Sequence, residues 1–315
     1  MLTIYKWENG GLRETPDFSP SCWINLVEPN TTELDAVLTQ TEVPRDFLTD
    51  PLDAGERPRF DYDDNSTLLI VHVPYPVEDE EDGVPYRTVP LGIVFVGDTV
   101  ITVSNARTPV TTAFLDQIRR VCPPKDKYRF AFRLLWHGGV LFLRYLHDIH
   151  QRTEALEDEL HESISNEVLL KLLTIQKTFV YFTTSIKADT IALARANTSR
   201  QISLSEDDQD QLEDAMVEYQ QALETATIHS NILNGTLDTF ASLINNNLNN
   251  VMKRLTVATI LLAVPTLVAS IYGMNLTTLP YMNHTYSFCI VMGISLALLG
   301  LVGLVFYVLS RKRMF

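Results

Sequence analysis

Two stretches of the chain, residues 255–272 and 286–309, contain no Asp, Glu, Lys or Arg, although the 315 residues include 39 acids. Each is long enough to cross roughly 30 Å of hydrocarbon as a helix. A core helix of a soluble protein rarely stays apolar around its whole circumference for such a length, so both runs are read as transmembrane helices. The N-terminus, "MLTIYKWENGG", lacks the basic start and apolar stretch of a secretory signal, and the residues ahead of the first run are expected in the cytoplasm. Lys253 and Arg254 precede the first run, and Arg311, Lys312 and Arg313 follow the second. The positive-inside rule then puts both termini on the cytoplasmic face of a cell membrane, inner or plasma, with the short linker outside.

Every acidic residue lies before Leu255, and bases after it only offset them, so the net charge of −14 comes from an acidic soluble part. Such a body repels nucleic acid and attracts cations. Cys22, Cys122 and Cys289 show neither paired nor metal-ligand spacing, which fits a reduced compartment. No nucleotide-binding glycine loop or catalytic triad is present, so an enzyme is not expected.

Residues 1–125 read as a mixed α/β cytoplasmic domain. "SCWINLVEP" and "STLLIVHVPY" are strand-like, and "LGIVFVGDTVITVSN" is a hairpin around Gly97-Asp98. "NTTELDAVLTQ" starts a helix capped near Asn30. Residues 126–254 lose their prolines and gain apolar residues at three- and four-residue steps, the signature of a helical stalk. One helix is expected from Tyr128 through "LRYLHDIHQRTEALEDELHES", loosened at Gly138-Gly139. It turns near 163–166 into an antiparallel second. A third starts at an N-cap, Ser205, and meets no stop until Pro265. Continued through residue 272 it would be about 100 Å long, joining the stalk directly to transmembrane helix 1 at 255–272. An outer loop at 273–285, transmembrane helix 2 at 286–310 and a basic tail at 311–315 complete the chain.

The polar residues of the first span are Thr256, Thr259, Thr266 and Ser270, at steps of three, seven and four, which place them on one helix face. The same register adds Ala263 within the span and Met252, Asn249 and Asn245 below it. Small polar residues also favour close helix packing in membranes, which leaves two readings of the stripe: a packing face, or the lining of a narrow polar pore. Two spans cannot enclose water, so a pore needs several copies of the first helix around an axis.

"YGMN", residues 272–275, at the end of the first span, together with "NNVMKRLT" at 249–256, the basic C-terminus and the order of α/β, helical and membrane segments, resembles the CorA family of divalent metal ion transporters over essentially the whole chain. The resemblance implies a funnel-shaped homopentamer in the lipid bilayer, one pore helix per subunit, with Gly273, Met274 and Asn275 as selectivity filter. It marks Asn249 as the lower pore asparagine, Met252 and Thr266 as further pore levels, and Asp238 as the carboxylate at the cytoplasmic mouth. It also implies a regulatory Mg²⁺ site between subunits. Asp214 matches its stalk position, and Glu78 is the expected partner, with Asp79, Glu80, Glu81 and Asp82 as substitutes.

Mg²⁺ sheds its waters reluctantly, so a ring of neutral asparagine oxygens suits the hydrated ion better than a tight carboxylate cage. The implied function is Mg²⁺ influx, with Co²⁺ or Ni²⁺ also passing. The loop "LTTLPYMNHTY" departs from the acidic loop of many members, and His284 there raises a zinc-transporting alternative, with or without proton coupling. His147 and His150 share a helix face but lack an evident third metal ligand. From another class, the chain could be a membrane-anchored acidic sensor, which leaves the stripe unexplained.

Overall fold

The computed structural model describes residues 1–8, 11–77, 83–118, 126–162, 165–274, 280 and 285–311. By its internal contacts the chain forms two units, Met1–Gly235 and Thr236–Phe315.

The first unit is built on a seven-stranded sheet of order β2-β1-β3-β7-β6-β5-β4, from strands β1 (Leu2–Glu8), β2 (Gly11–Thr15), β3 (Trp23–Val27), β4 (Arg59–Asp63), β5 (Ser66–Pro76), β6 (Tyr86–Val96) and β7 (Thr99–Ser104). Neighbours pair antiparallel except β3 and β7, which run parallel. Both faces are covered, which explains why β5 and β6 read as near-continuous apolar runs rather than as alternation. On one face Ile24, Leu26, Leu68, Ile70, Ile101 and Val103 pack with Leu34 and Val37 of helix α1 (Thr31–Thr41) and Phe47 and Leu48 of α2 (Arg45–Thr49). On the other face Trp23 is fully buried against the rings of Phe114 and Phe130. Its indole N–H donates to Thr102 Oγ1, which donates to Asn25 Oδ1, both at 2.9 Å, so these three polar side chains satisfy one another inside the core.

The local signals act through identifiable contacts. Asn30 caps α1 in a complete capping box with Glu33. Gly97, at φ +50°, opens the two-residue turn between β6 and β7, where a side chain would be strained.

Helix α3 (Pro109–Ile118) is followed by α4 (Lys127–Glu162), α5 (Asn166–Thr198) and α6 (Glu206–Tyr272). Ser165 caps α5. Ser205 caps α6 reciprocally with Asp208: Asp208 N–H donates to Ser205 Oγ, and the Ser205 N–H donates back to Asp208 Oδ2, each at 3.2 Å. The expected loosening of α4 at Gly138-Gly139 is absent. The helix is continuous there, and the glycines serve a close approach instead. A Cβ at Gly138 would sit 2.6 Å from Tyr219 Oη, and one at Gly139 would sit 2.7 Å from Glu218 Cβ, so α4 and α6 touch where neither glycine carries a side chain.

The second unit holds the C-terminal part of α6 and helix α7 (Ser287–Arg311). Both helices are long and apolar enough to cross a membrane, and only 6% of either apolar window is buried within the chain. A soluble core helix would be mostly buried, so these surfaces need lipid or further copies of the protein to cover them. Pro265 lies inside α6, where it removes one backbone donor without ending the helix.

Candidate ion pathway

In α6, Asp238, Asn245, Asn249, Met252, Thr256, Thr259, Ala263, Thr266 and Ser270 are all exposed in the single chain. At 100° per residue they occupy one arc of roughly 100°. The threonine hydroxyls are satisfied within the helix: Thr256 Oγ1 donates to Met252 O, Thr259 Oγ1 to Leu255 O and Thr266 Oγ1 to Leu262 O, each at 2.8 Å. Each hydroxyl oxygen thereby keeps its lone pairs for an outside donor, while no donor goes unmet in an apolar setting. Thr259, Ala263, Thr266 and Ser270 line one shallow concavity.

The helix ends where the signature begins. Gly273 N–H donates to Ala269 O at 2.9 Å, and Met274 N–H donates to Ile271 O at 3.3 Å. A Cβ at Gly273 would stand 3.2 Å from Ala269 O and 3.6 Å from Ser270 O, so a side chain there would press on the final carbonyls. The Tyr272 hydroxyl donates to Pro280 O at 3.3 Å, tying the end of α6 to a point eight residues on. Met274 is exposed. Asn275 and His284 lie outside the described residues.

Asp214 is exposed on α6, at the edge of hydrogen-bond distance from Gln211 Nε2 (3.5 Å). Glu78 and its substitutes Asp79, Glu80, Glu81 and Asp82 lie outside the described residues, as does Cys122. His150 stacks on His229, ring centroids 4.3 Å apart, and approaches Glu154 at 3.5 Å, while His147 Nε2 faces Gln151 Nε2 at 3.1 Å. Among the described residues, no three His, Cys, Asp or Glu side chains converge as a metal site.

One group that sequence reasoning passed over is Asp189 on α5. It is fully buried; Oδ1 accepts the backbone N–H of His72 at 2.7 Å, and Oδ2 has no partner among the described residues. Burial holds its carboxyl well above the usual carboxylate range, against the opposing effect of the His72 hydrogen bond. The Tyr219 hydroxyl is also fully buried, likewise without a partner, and lies within its electrostatic reach. On the sheet side, burial lowers the His72 imidazole below its ordinary value, partly offset by the Glu56 carbonyl, 3.0 Å from Nε2. Nothing in "SIKADTIALARAN" sets Asp189 apart from a solvated helix acid.

The chain is 26% identical over 303 residues to the cobalt/magnesium transport protein CorA of Methanocaldococcus jannaschii, covering 92% of this chain and 90% of that one. Its fold matches the complete structure of the CorA magnesium transporter from the same organism, with a TM-score of 0.84 at 24% identity over 98% of this chain and 97% of that one. It also resembles the ZntB cytoplasmic domain from Vibrio parahaemolyticus, with a TM-score of 0.61 at 14% identity over 79% and 98% of the two chains, a likeness of fold alone. The family model for CorA-like Mg²⁺ transporter proteins matches residues 19–313, nearly the full length, and on that match the chain belongs to this family.

Proposed function

We propose that the chain assembles as a homopentamer in the cell membrane, termini in the cytoplasm, and conducts Mg²⁺ inward, with Co²⁺ or Ni²⁺ able to follow. The observation that carries this reading is the arc from Asp238 to Ser270, mostly small and polar side chains, exposed along α6, which is otherwise apolar from Leu255 to Tyr272 and ends at Gly273-Met274. Five copies of that arc around an axis would give a column of hydroxyl and amide oxygens bordered by Leu, Ile and Val. Asn275 would form the outer ring. Neutral oxygens of moderate field strength hold a hydrated divalent ion without retaining it. The potential suffices as a driving force: a 2+ ion gains roughly 4.6 kcal/mol on crossing 100 mV into a negative interior.

Control would come from carboxylates brought together between subunits. Bare carboxylates repel, and bound Mg²⁺ bridges them, so high internal Mg²⁺ would hold the pore shut. Asp214 and Glu78 are the pair assigned to this site. The zinc-transporting alternative rests on a loop without carboxylates and on His284, and these are too little to outweigh the family match.

The test is Mg²⁺ influx into proteoliposomes under an inside-negative potential, wild type beside Asn275→Ala, with Co²⁺ and Zn²⁺ in the same assay. Mg²⁺ flux abolished by the substitution supports the channel and its filter together. Zn²⁺ flux without Mg²⁺ flux would move the chain to the zinc alternative, and flux of no ion would overturn transport.

A further inference from the structure

Between α6 and α7 the second unit carries a groove of about 680 Å³ whose lining changes character along its length. One end is polar and basic, with Asn250, Lys253 and Arg254; the other is apolar, with Val257, Leu261 and Phe306. Tyr307 borders it and is exposed, and a Cβ added at Gly303, on its wall, would meet open space. The change falls where the uncharged run begins at Leu255, the level at which a membrane helix passes from headgroups into hydrocarbon. Tyrosine is typical of that level.

The groove also lies on a particular side of α6. Arg254 is two residues from both Met252 and Thr256, and Leu261 is two residues from both Thr259 and Ala263. Two residues turn the helix by about 200°. The centre of the groove is therefore on the opposite side of α6 from the polar arc, with Lys253, four residues after Asn249, at the edge nearer the arc, and if the arc faces a pore axis, the groove faces away from it.

We propose that this groove is a binding site for one anionic phospholipid per chain. The headgroup phosphate would be held by the Lys253 ammonium and the Arg254 guanidinium, whose fork matches a phosphodiester. The Asn250 amide would donate to the same headgroup, and an acyl chain would lie along Val257, Leu261 and Phe306. Charge complementarity selects the occupant. The two cations stand at the mouth of an apolar slot in a chain whose net charge is −14, and a zwitterionic lipid would bring its own cation to the same place. Basic pockets between transmembrane helices on the cytoplasmic side are suited to anionic headgroups for this reason. The proposal rests on the reading of α6 and α7 as membrane spans.

The experiment places a reporter in the slot: Tyr307→Trp in the full-length chain, reconstituted in vesicles of phosphatidylcholine with brominated phosphatidylglycerol or brominated phosphatidylcholine as quencher. The parent protein's own quenching is subtracted. The expected result is about tenfold stronger binding of phosphatidylglycerol at the reporter, preserved in Lys253→Arg and lost in the double variant Lys253→Gln, Arg254→Gln. Equal quenching by the two lipids, or a preference that survives the double variant, overturns the site. A reporter that no lipid quenches means a second copy of the chain covers the groove, and also overturns it. Flotation separates the underlying reading: a chain that does not float with either vesicle is not spanning a bilayer, whereas one that floats without lipid preference fails the site alone.

Discussion

The glycine pair of α4 allows a sharp test of how the first unit is packed. Replacing glycine by alanine inside a helix stabilises it by about 1 kcal/mol where the new methyl group has room. At Gly139 it has none: the added carbon would stand 2.7 Å from Glu218 Cβ, 3.2 Å from Tyr219 Cδ2 and 3.4 Å from the Glu218 backbone carbon. Glu218 Cβ is fixed to its backbone, so no rotamer change relieves the clash, and α4 and α6 must move apart. Overpacking of this kind costs about 1–3 kcal/mol, which outweighs the helix gain. Gly235→Ala is the control, because its Cβ meets no atom within 4 Å. It should gain the full helix term of about 1 kcal/mol. Both variants gain the helix term, so they should differ by the overpacking cost of about 1–3 kcal/mol, or roughly 2–12 °C in melting midpoint for a domain of this size. Thermal unfolding of the purified full-length protein, followed by the emission of its tryptophans, among them the fully buried Trp23, reads the difference. Gly139→Ala melting at or above wild type would refute the close contact of α4 with α6.

Two further predictions concern pH and start from the junction of β5 with α5. The Asp189 carboxyl is held above its usual range by burial, so the folded state binds that proton more tightly than the unfolded chain. Its contribution to stability is full below about pH 4 and is lost as pH rises toward the folded value. Asp189→Asn keeps an oxygen for the His72 N–H but cannot ionise; the variant should therefore be more stable than wild type at pH 9 and close to it at pH 4, and a variant that loses stability equally at both would contradict the buried, protonated carboxyl. His72 has the opposite sense on the acid side. Its imidazole is lowered by burial, so the unfolded chain takes up the proton first, and stability falls as pH drops below about 6.5. His72→Gln should flatten the fall between pH 7 and 5 in denaturant titrations, and an unchanged slope would remove His72 as a contributor.

The elements that could be read from sequence are those whose cause is local. Ser205 and Asn30 carry their capping partners three residues away, and both cap where expected. Gly97-Asp98 sits between two apolar runs and forms the β6–β7 turn. The β4–β5 turn is built instead on Asp64, at φ +40°, followed by Asn65, a pair without glycine that stands out less against an acidic stretch. The single parallel pairing, Trp23–Val27 beside Val100–Ser104, joins segments far apart in the chain, and no periodicity encodes it. Gly138-Gly139 was legible as unusual but not in its meaning, because loosening and close approach call for the same residue. Asp189 was not legible at all, since a carboxylate in a polar helical stretch looks solvated until the sheet beneath it is in place. The polar arc of α6 was legible because its cause is again local: hydroxyl residues at helical spacing within an uncharged run, with Asn249 and Asn245 continuing the register below it.

Whether that arc meets water is the most direct question to ask of the proposed pore. In a background with Cys22, Cys122 and Cys289 replaced, single cysteines at Thr259, Ala263 and Thr266 would be compared with cysteines at Val257 and Leu261 for reaction with a membrane-impermeant thiol reagent, Mg²⁺ influx being measured after each. A pore lined by the arc requires modification and loss of flux at 259, 263 and 266, and protection at 257 and 261. Equal reactivity around the helix, or reaction confined to 257 and 261, would contradict it.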